Sequence, residues 1–315
     1  MICNATTTNM PRSYGRNTRR SRRPYSRRVR RVRRSFRRSA RRYMRRSTMS
    51  GRKRILNISS RKVKDNMLGT HVTGPSTHGT PGDGVVMTGD KVWTFAFVPS
   101  ARAVHNQPVI NGVRGYDFSR LHRETFSVGY SENVTIETGG AANWQWRRMV
   151  FRMKNEASRD AFPVQTLYQY VDDVIPSPGY VRALYDFSLD DNARNTLYYE
   201  IFQGSIGVDW KDIFNARLNP TKVVALYDKT IQVAGGNDAA HWKRRKFWHP
   251  TRKRLVYDDK ESGDHKVQGE DSHYSANGTH SMGDLWVLDF FACANGAASN
   301  QMRFVPQGCY YWHER

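Results

Sequence analysis

Apolar and polar residues alternate in short runs from Thr88 to the C terminus. The clearest run sets Phe126, Val128, Tyr130, Val134 and Ile136 on one parity, and Ser127, Gly129, Ser131, Asn133, Thr135 and Glu137 on the other. A period of two marks a strand with one buried face, so this segment predicts a half-buried antiparallel strand with Glu132 as its exception. Strands are also expected at Lys91–Val98, closed by Pro99, and at Leu197–Phe202, Lys222–Val233, Arg254–Tyr257, Asp284–Cys293 and Met302–Trp312. Leu285–Phe291 is apolar on both parities, which predicts a central strand covered on both faces. From Trp144 to Lys154 the parity changes, with Trp144 and Trp146 on one side and Met149, Phe151 and Met153 on the other. A bulge near Arg147 and Arg148 would reconcile them.

Helical spacing is rare. Trp210, Ile213, Phe214 and Leu218 follow Asp209 as a candidate N-cap and stop at Asn219-Pro220, and a shorter helix is expected near Ala157–Phe162. The stretch GTHVTGPSTHGTPGDG, Gly69–Gly84, reads as a loop. About eight antiparallel strands with one or two short loop helices make an all-β sandwich.

Charge divides this picture in two. Up to Lys64 the chain holds 24 of its 51 lysines and arginines and none of its 28 acids; the remainder carries 27 bases against 28 acids. The formal charge of +23 therefore sits on the first fifth of the chain. Three segments follow: a disordered arginine-rich arm over 1–64, a Gly/Pro/Thr-rich linker over 65–87, and the sandwich over 88–315. Too few apolar residues stand in the arm to offset the entropy of ordering it. A polyanion changes that balance, because guanidinium groups fork onto phosphate oxygens and binding releases condensed counterions. The candidate nucleic-acid ligands are Arg12, Arg16, Arg19, Arg20, Arg22, Arg23, Arg27, Arg28, Arg30, Arg31, Arg33, Arg34, Arg37, Arg38, Arg41, Arg42, Arg45 and Arg46. Tyr14, Tyr25, Phe36 and Tyr43 interleave them and can stack on unpaired bases, which favours single strands. The same basic clusters suit nuclear import receptors. They leave no broad apolar face to lie in a membrane.

Two further clusters extend the footprint. Arg52, Lys53 and Arg54 follow the arm, and Ile55, Leu56 and Ile58 after them read as the first residues to pack. HWKRRKFWHP places Arg244, Arg245 and Lys246 among Trp242, Phe247 and Trp248. This is either a secondary nucleic-acid contact, or a strand whose aromatics are core and whose bases cap its end.

Catalytic motifs are missing: there is no GxxxxGK[ST], HxH, HExxH, GxSxG or paired CxxC. A non-enzymatic role without cofactors is expected. Cys3, Cys293 and Cys309 form no disulfide framework and read as reduced thiols. The opening MICNATTTNM lacks the basic and apolar regions of a secretory signal, and MPRSYGRNTRR from Met10 would serve as a start by itself. The acidic stretch 258–271, with Asp258, Asp259, Glu261, Asp264, His265, Glu270 and Asp271 and with His273 just after it, lacks Ca-loop spacing and reads as a solvated hairpin tip rather than a metal site, or as acids that pair with basic surfaces of neighbouring subunits.

ILNISSRKVKDNML, ENVTIETGGAANWQWRRMVF, FQGSIGVDWKDIFNARLNP, ALYDKTIQV, KFWHPTRKRLVYDDKESGD and MGDLWVLDFF, in that order, resemble the capsid proteins of genomoviruses, the gemycircularvirus-like single-stranded DNA viruses. The coat proteins of geminiviruses are more distantly similar. The resemblance implies a single jelly-roll subunit of a small icosahedral virion that packages circular single-stranded DNA, with the basic arm inside on the genome; the arm's import clusters add assembly in the host nucleus. The smallest such shell has about 60 places, a homo-oligomer whose arms bring on the order of 1,400 charges, comparable to the phosphates of a genome of about one to two kilobases. The rival readings are a non-viral basic-arm nucleic-acid-binding protein, chromatin-like or ribosomal, and a replication enzyme, which the missing motifs disfavour.

Overall fold

The computed structural model describes residues 51–75, 77–104, 120–171, 179–234, 241–262, 265–267 and 273–314. In chain order its elements are α1 (Gly51–Ser59), β1 (Arg61–Gly74), β2 (Thr77–His78), β3 (Val85–Thr88), β4 (Trp93–Phe97), β5 (Glu124–Thr138), β6 (Trp144–Met153), α2 (Glu156–Asp160), β7 (Gln169–Val171), β8 (Gly179–Asp186), α3 (Asp191–Ile201), β9 (Val223–Val233), β10 (His241–Val256), β11 (Lys260–Ser262), β12 (His265–Val267), β13 (Asp284–Cys293) and β14 (Gln301–Glu314).

Eight of these strands pair antiparallel as a long folded hairpin: β1 with β14, β4 with β13, β5 with β10, and β6 with β9. Rolling that hairpin adds the pairs β5–β14 and β6–β13. The result is a jelly roll, with β10-β5-β14-β1 on one side and β4-β13-β6-β9 on the other. β8 lies between the two halves, parallel to β1 through Gly69–Val72 and antiparallel to β4 through Phe95 and Ala96, so the main sheet runs unbroken from β10 to β9. At the seam, Tyr227 of β9 packs on Phe247 and His249 of β10, with ring centroids 5.8 and 5.3 Å apart.

One apolar cluster fills the interior near Trp146, Phe291 and Phe304, whose ring centroids are 4.9 to 5.7 Å apart. A larger one also covers the outside of the β4-β13-β6-β9 sheet, where Phe162 meets Trp286 and Tyr198 of α3 meets Phe290. β13 is therefore buried on both faces from Asp284 to Phe291, as its double apolar parity predicts.

Several expectations need correction. The arm and linker boundaries at 64 and 87 give way to β1, which begins at Arg61, followed by β2 and β3. In β1 the inward residues are Val63, Asp65 and Met67, and the buried carboxylate disguised the alternation by pairing with Arg102 at 2.9 Å. Gly69 lies where β1 passes to β8, and a Cβ there would collide with the Pro306 carbonyl. Ile55 and Ile58 of α1 are exposed.

In β5 the parity flips: Thr125 and Ser127 are buried while Phe126 is exposed, and from Tyr130 onward the even positions face inward. The cause is a register shift against β14 between Tyr311 and Trp312. No such shift interrupts β6 against β13; the irregularity in β6 falls against β9, between Val150 and Phe151, and both parities are apolar because both faces are covered.

The helix also moves. Residues 205–218 are turns in which Asp209 accepts from Ser205 N at 2.7 Å, while Gly204 and Gly207 adopt positive φ. The segment expected as a strand at Leu197–Phe202 instead forms α3, capped by Asp190 and burying Ala193, Leu197, Tyr198 and Ile201 at helical spacing. The short helix near Ala157 is α2.

Candidate nucleic-acid interface

HWKRRKFWHPTRKRLV is one strand, β10, which among the described residues pairs only with β5. Its period of two divides the segment by parity, one face turned inward and the other to solvent. Phe247 and His249 point into the sandwich: Phe247 meets Trp146 edge-on at 5.7 Å, and His249 is buried. Trp242, Arg244, Lys246 and Trp248 point to solvent, with Trp242 61% and Trp248 47% exposed. Arg245 is also exposed but shares the parity of Phe247. The expected trio Arg244, Arg245 and Lys246 is therefore not one patch; Arg244 and Lys246 belong together.

The register carries the outward face across three more strands. Thr135 and Asn133 of β5 stand beside Arg244 and Lys246; Gln307, Tyr311 and His313 come from β14, and Lys62 and Lys64 from β1. Lys62 lies opposite His313, and Lys64 opposite Tyr311. Among the described residues, Lys62, Lys64, Arg244 and Lys246 form no ion pair, whereas Arg254 pairs with Glu124, and Arg303 with Glu137 at 3.5 Å. Lys62 and Lys64 were not among the sequence-predicted site residues, and which aromatics of HWKRRKFWHP face outward was not legible. Their signal was alternation in RKVK and in HWKRRKFW, hidden by the density of charge.

Directly beneath this face lies a buried charge cluster. Glu132 of β5 contacts Arg148 of β6 and accepts from Arg182 of β8 at 2.9 Å. Asp289 of β13 accepts from Arg148 at 2.7 and 2.9 Å and from Arg182 at 2.8 Å. Tyr130 donates to Glu132 at 2.7 Å and Trp146 donates to Asp289 at 2.8 Å. Two carboxylates and two guanidiniums, all fully buried, cancel in charge and join the two sheets through β8. Burial alone would raise the Glu132 carboxyl, but Arg148 and Arg182 outweigh it and bring it down to about 2. His249, beside this cluster, is lowered to about 4 by burial and by the Arg148 charge. Close packing holds the arrangement: at Gly308 of β14 a Cβ would collide with the Tyr130 hydroxyl.

Other arginines of the sandwich are matched as well. Arg120 grips Asp259, with one bond of 2.8 Å, which places that member of the acidic stretch in the interior. Asp264, Glu270 and Asp271 lie outside the described residues; β11 and β12 pair antiparallel as the expected hairpin over 260–267. Cys293 and Cys309 are free thiols. Arg12 to Arg46 lie outside the described residues, and Arg52, Lys53 and Arg54 lie on α1 with side chains that do too.

No family model and no curated protein matches the chain. Among solved structures, VP1 of the Trichodysplasia spinulosa-associated polyomavirus aligns over 81% of this chain and 94% of that one, at 9% identity and a TM-score of 0.14, a likeness too slight to bear on fold or function.

Proposed function

We propose that this chain is the coat subunit of a small icosahedral shell, of the genomovirus kind, that packages circular single-stranded DNA without catalysis. The observation that carries the reading is the segregation of charge: 24 bases and no acid before Asp65, then a jelly roll of near-zero net charge. Such a wall has little electrostatic reason to bind nucleic acid all over, and an arm of that density neutralises phosphate without reading sequence. The jelly roll supports the same reading, since an all-β sandwich of this kind suits a shell wall. β1 comes after α1 in the chain and belongs to the sheet whose outer face carries Lys62, Lys64, Arg244 and Lys246. The partners are the DNA, further copies of the chain and, during assembly in the host nucleus, import receptors for the basic arm.

Electron microscopy of the purified chain at low salt, with and without circular single-stranded DNA, tests the proposal. Closed shells that depend on DNA and dissolve at high salt are expected, because unneutralised arms repel. Monomers under every condition would overturn it in favour of a monomeric basic-arm binder. Residues 10–64 fused to a fluorescent reporter should concentrate in the nucleus; retention in the cytoplasm would remove the import role.

A further inference from the structure

We infer that the outward face of the β10-β5-β14-β1 sheet is a second, preformed site for single-stranded nucleic acid, which stacks unpaired bases on Trp248 and Trp242 and sets their phosphates on Arg244, Lys246, Lys62 and Lys64. The inference rests on the packaging reading for its ligand, yet it concerns the folded domain and not the arm.

Three observations carry it. The first is the aromatic geometry. Trp248 lies across Gly129 of the neighbouring strand, where a Cβ would stand 2.9 Å from its ring, and it reaches Tyr311 of β14 with ring centroids 5.6 Å apart at 72°. Glycine thus leaves the indole a floor, and Tyr311 braces its edge while nearly half of the side chain stays in water. An exposed ring held from two sides loses little entropy when a base stacks on it. Phe126, 44% exposed and 6.1 Å from His313, continues the aromatic run.

The second is charge placement. The acids on this face, Glu124 and Glu137, are each taken up by an arginine, while the four cations named above are not. The third is spacing: Trp242 and Trp248 are six residues apart on one strand face, about 20 Å, with Arg244 and Lys246 between them. An extended strand can lay bases on both rings with phosphates between, whereas a duplex keeps its bases stacked inside and presents no free faces to an aromatic platform.

The test uses the full chain with Arg12–Arg46 replaced by a neutral Gly/Ser linker, titrated with short oligothymidylate while tryptophan fluorescence is followed. Quenching is expected, with little from a duplex of the same length. Trp248→Ala should weaken binding about tenfold, within the range for losing one stacked base. Trp248→Phe should restore most of it, and Arg244→Gln with Lys246→Gln should flatten the salt dependence. Circular dichroism establishes that each variant is folded. Absence of quenching in the arm-neutral chain, equal quenching by duplex, or unchanged affinity in folded Trp248→Ala would overturn the inference and leave packaging by the arm untouched. If instead the wild-type chain forms no shells while the arm-neutral chain still binds oligothymidylate through Trp248, the coat reading fails and this site stands.

Discussion

Arg148 lies in the interior of the jelly roll and Arg244 on its outer surface, and they meet opposite fates. Arg148 is fully buried and spans two carboxylates that are themselves shared with Arg182. Arg244 is exposed, makes no ion pair among the described residues and lies 5.7 Å from the ring of Trp242. Other buried arginines follow the first pattern, as Arg102 does with Asp65, Arg120 with Asp259 and Arg159 with Asp284. The contrast separates two uses of one side chain. Matched inside, a guanidinium orients strands and specifies which sheets meet, because an unmatched charge there is very costly. Exposed and without an ion pair among the described residues, as at Arg244, it stays a full charge in water.

The largest effect is expected from the arginines of the arm, which the sequence places among no acids. The Gly/Ser replacement of Arg12–Arg46 should abolish nuclease-protected DNA in purified particles while the circular dichroism spectrum of the sandwich persists. Full packaging by that variant would put the DNA on the wrong part of the chain. Next comes the matched set. Glu132→Gln leaves Arg148 and Arg182 with Asp289 alone, a net buried charge, and should destabilise the domain by about 3–5 kcal/mol in urea denaturation. A loss under about 1 kcal/mol would mean that water or a shifted carboxylate already relieves the cluster.

A smaller effect tests how the cluster spreads to its neighbours. His249 titrates near 4 in the folded chain against an ordinary 6.5, so the unfolded chain binds more protons between those values and stability should fall as pH drops from 6.5 toward 4. Asp65 and Asp284, raised to about 6 by burial, act with the opposite sign from their ordinary 3.8 up to about 6. The readout is therefore the difference between wild type and His249→Phe, whose denaturation midpoint should lose less on acidification; parallel profiles would remove His249 from the account. The smallest effect belongs to an exposed pair. Arg194 and Asp191 meet at 2.5 Å on α3, and Asp191→Asn should change stability by no more than about 0.5 kcal/mol, since water screens such contacts. A larger loss would erase the distinction between buried and exposed pairs.

Much of the fold was legible along the chain. β13 and β9 fall within a residue of their expected bounds, and β14 extends only slightly beyond them. What misled was polarity at buried places. Glu132 read as the exception in an alternating strand, yet it is the residue on which the buried cluster turns, and Asp65 hid β1 inside a supposed linker. α3 was mistaken for a strand because LYYEIF is apolar enough for either element, and only the docking of Leu197 and Ile201 against the core decides for the helix. The candidate site was legible in part: the residue types of HWKRRKFW pointed to nucleic acid, but not which of them share a face.

By itself the sequence determined what local composition can determine: an arm with bases and no acids, a β-rich remainder of near-zero charge, and the period-two runs that become its strands. Only the tertiary structure decided which charges cancel. Pairing β1 with β14, β5 with β10 and β6 with β13 brings together residues more than a hundred positions apart, so Glu132, Arg148, Arg182 and Asp289 become one neutral cluster while Lys64, Lys246 and Trp248 become one face. A charge is costly or useful according to its neighbours in space, and those neighbours exist only after the strands have met.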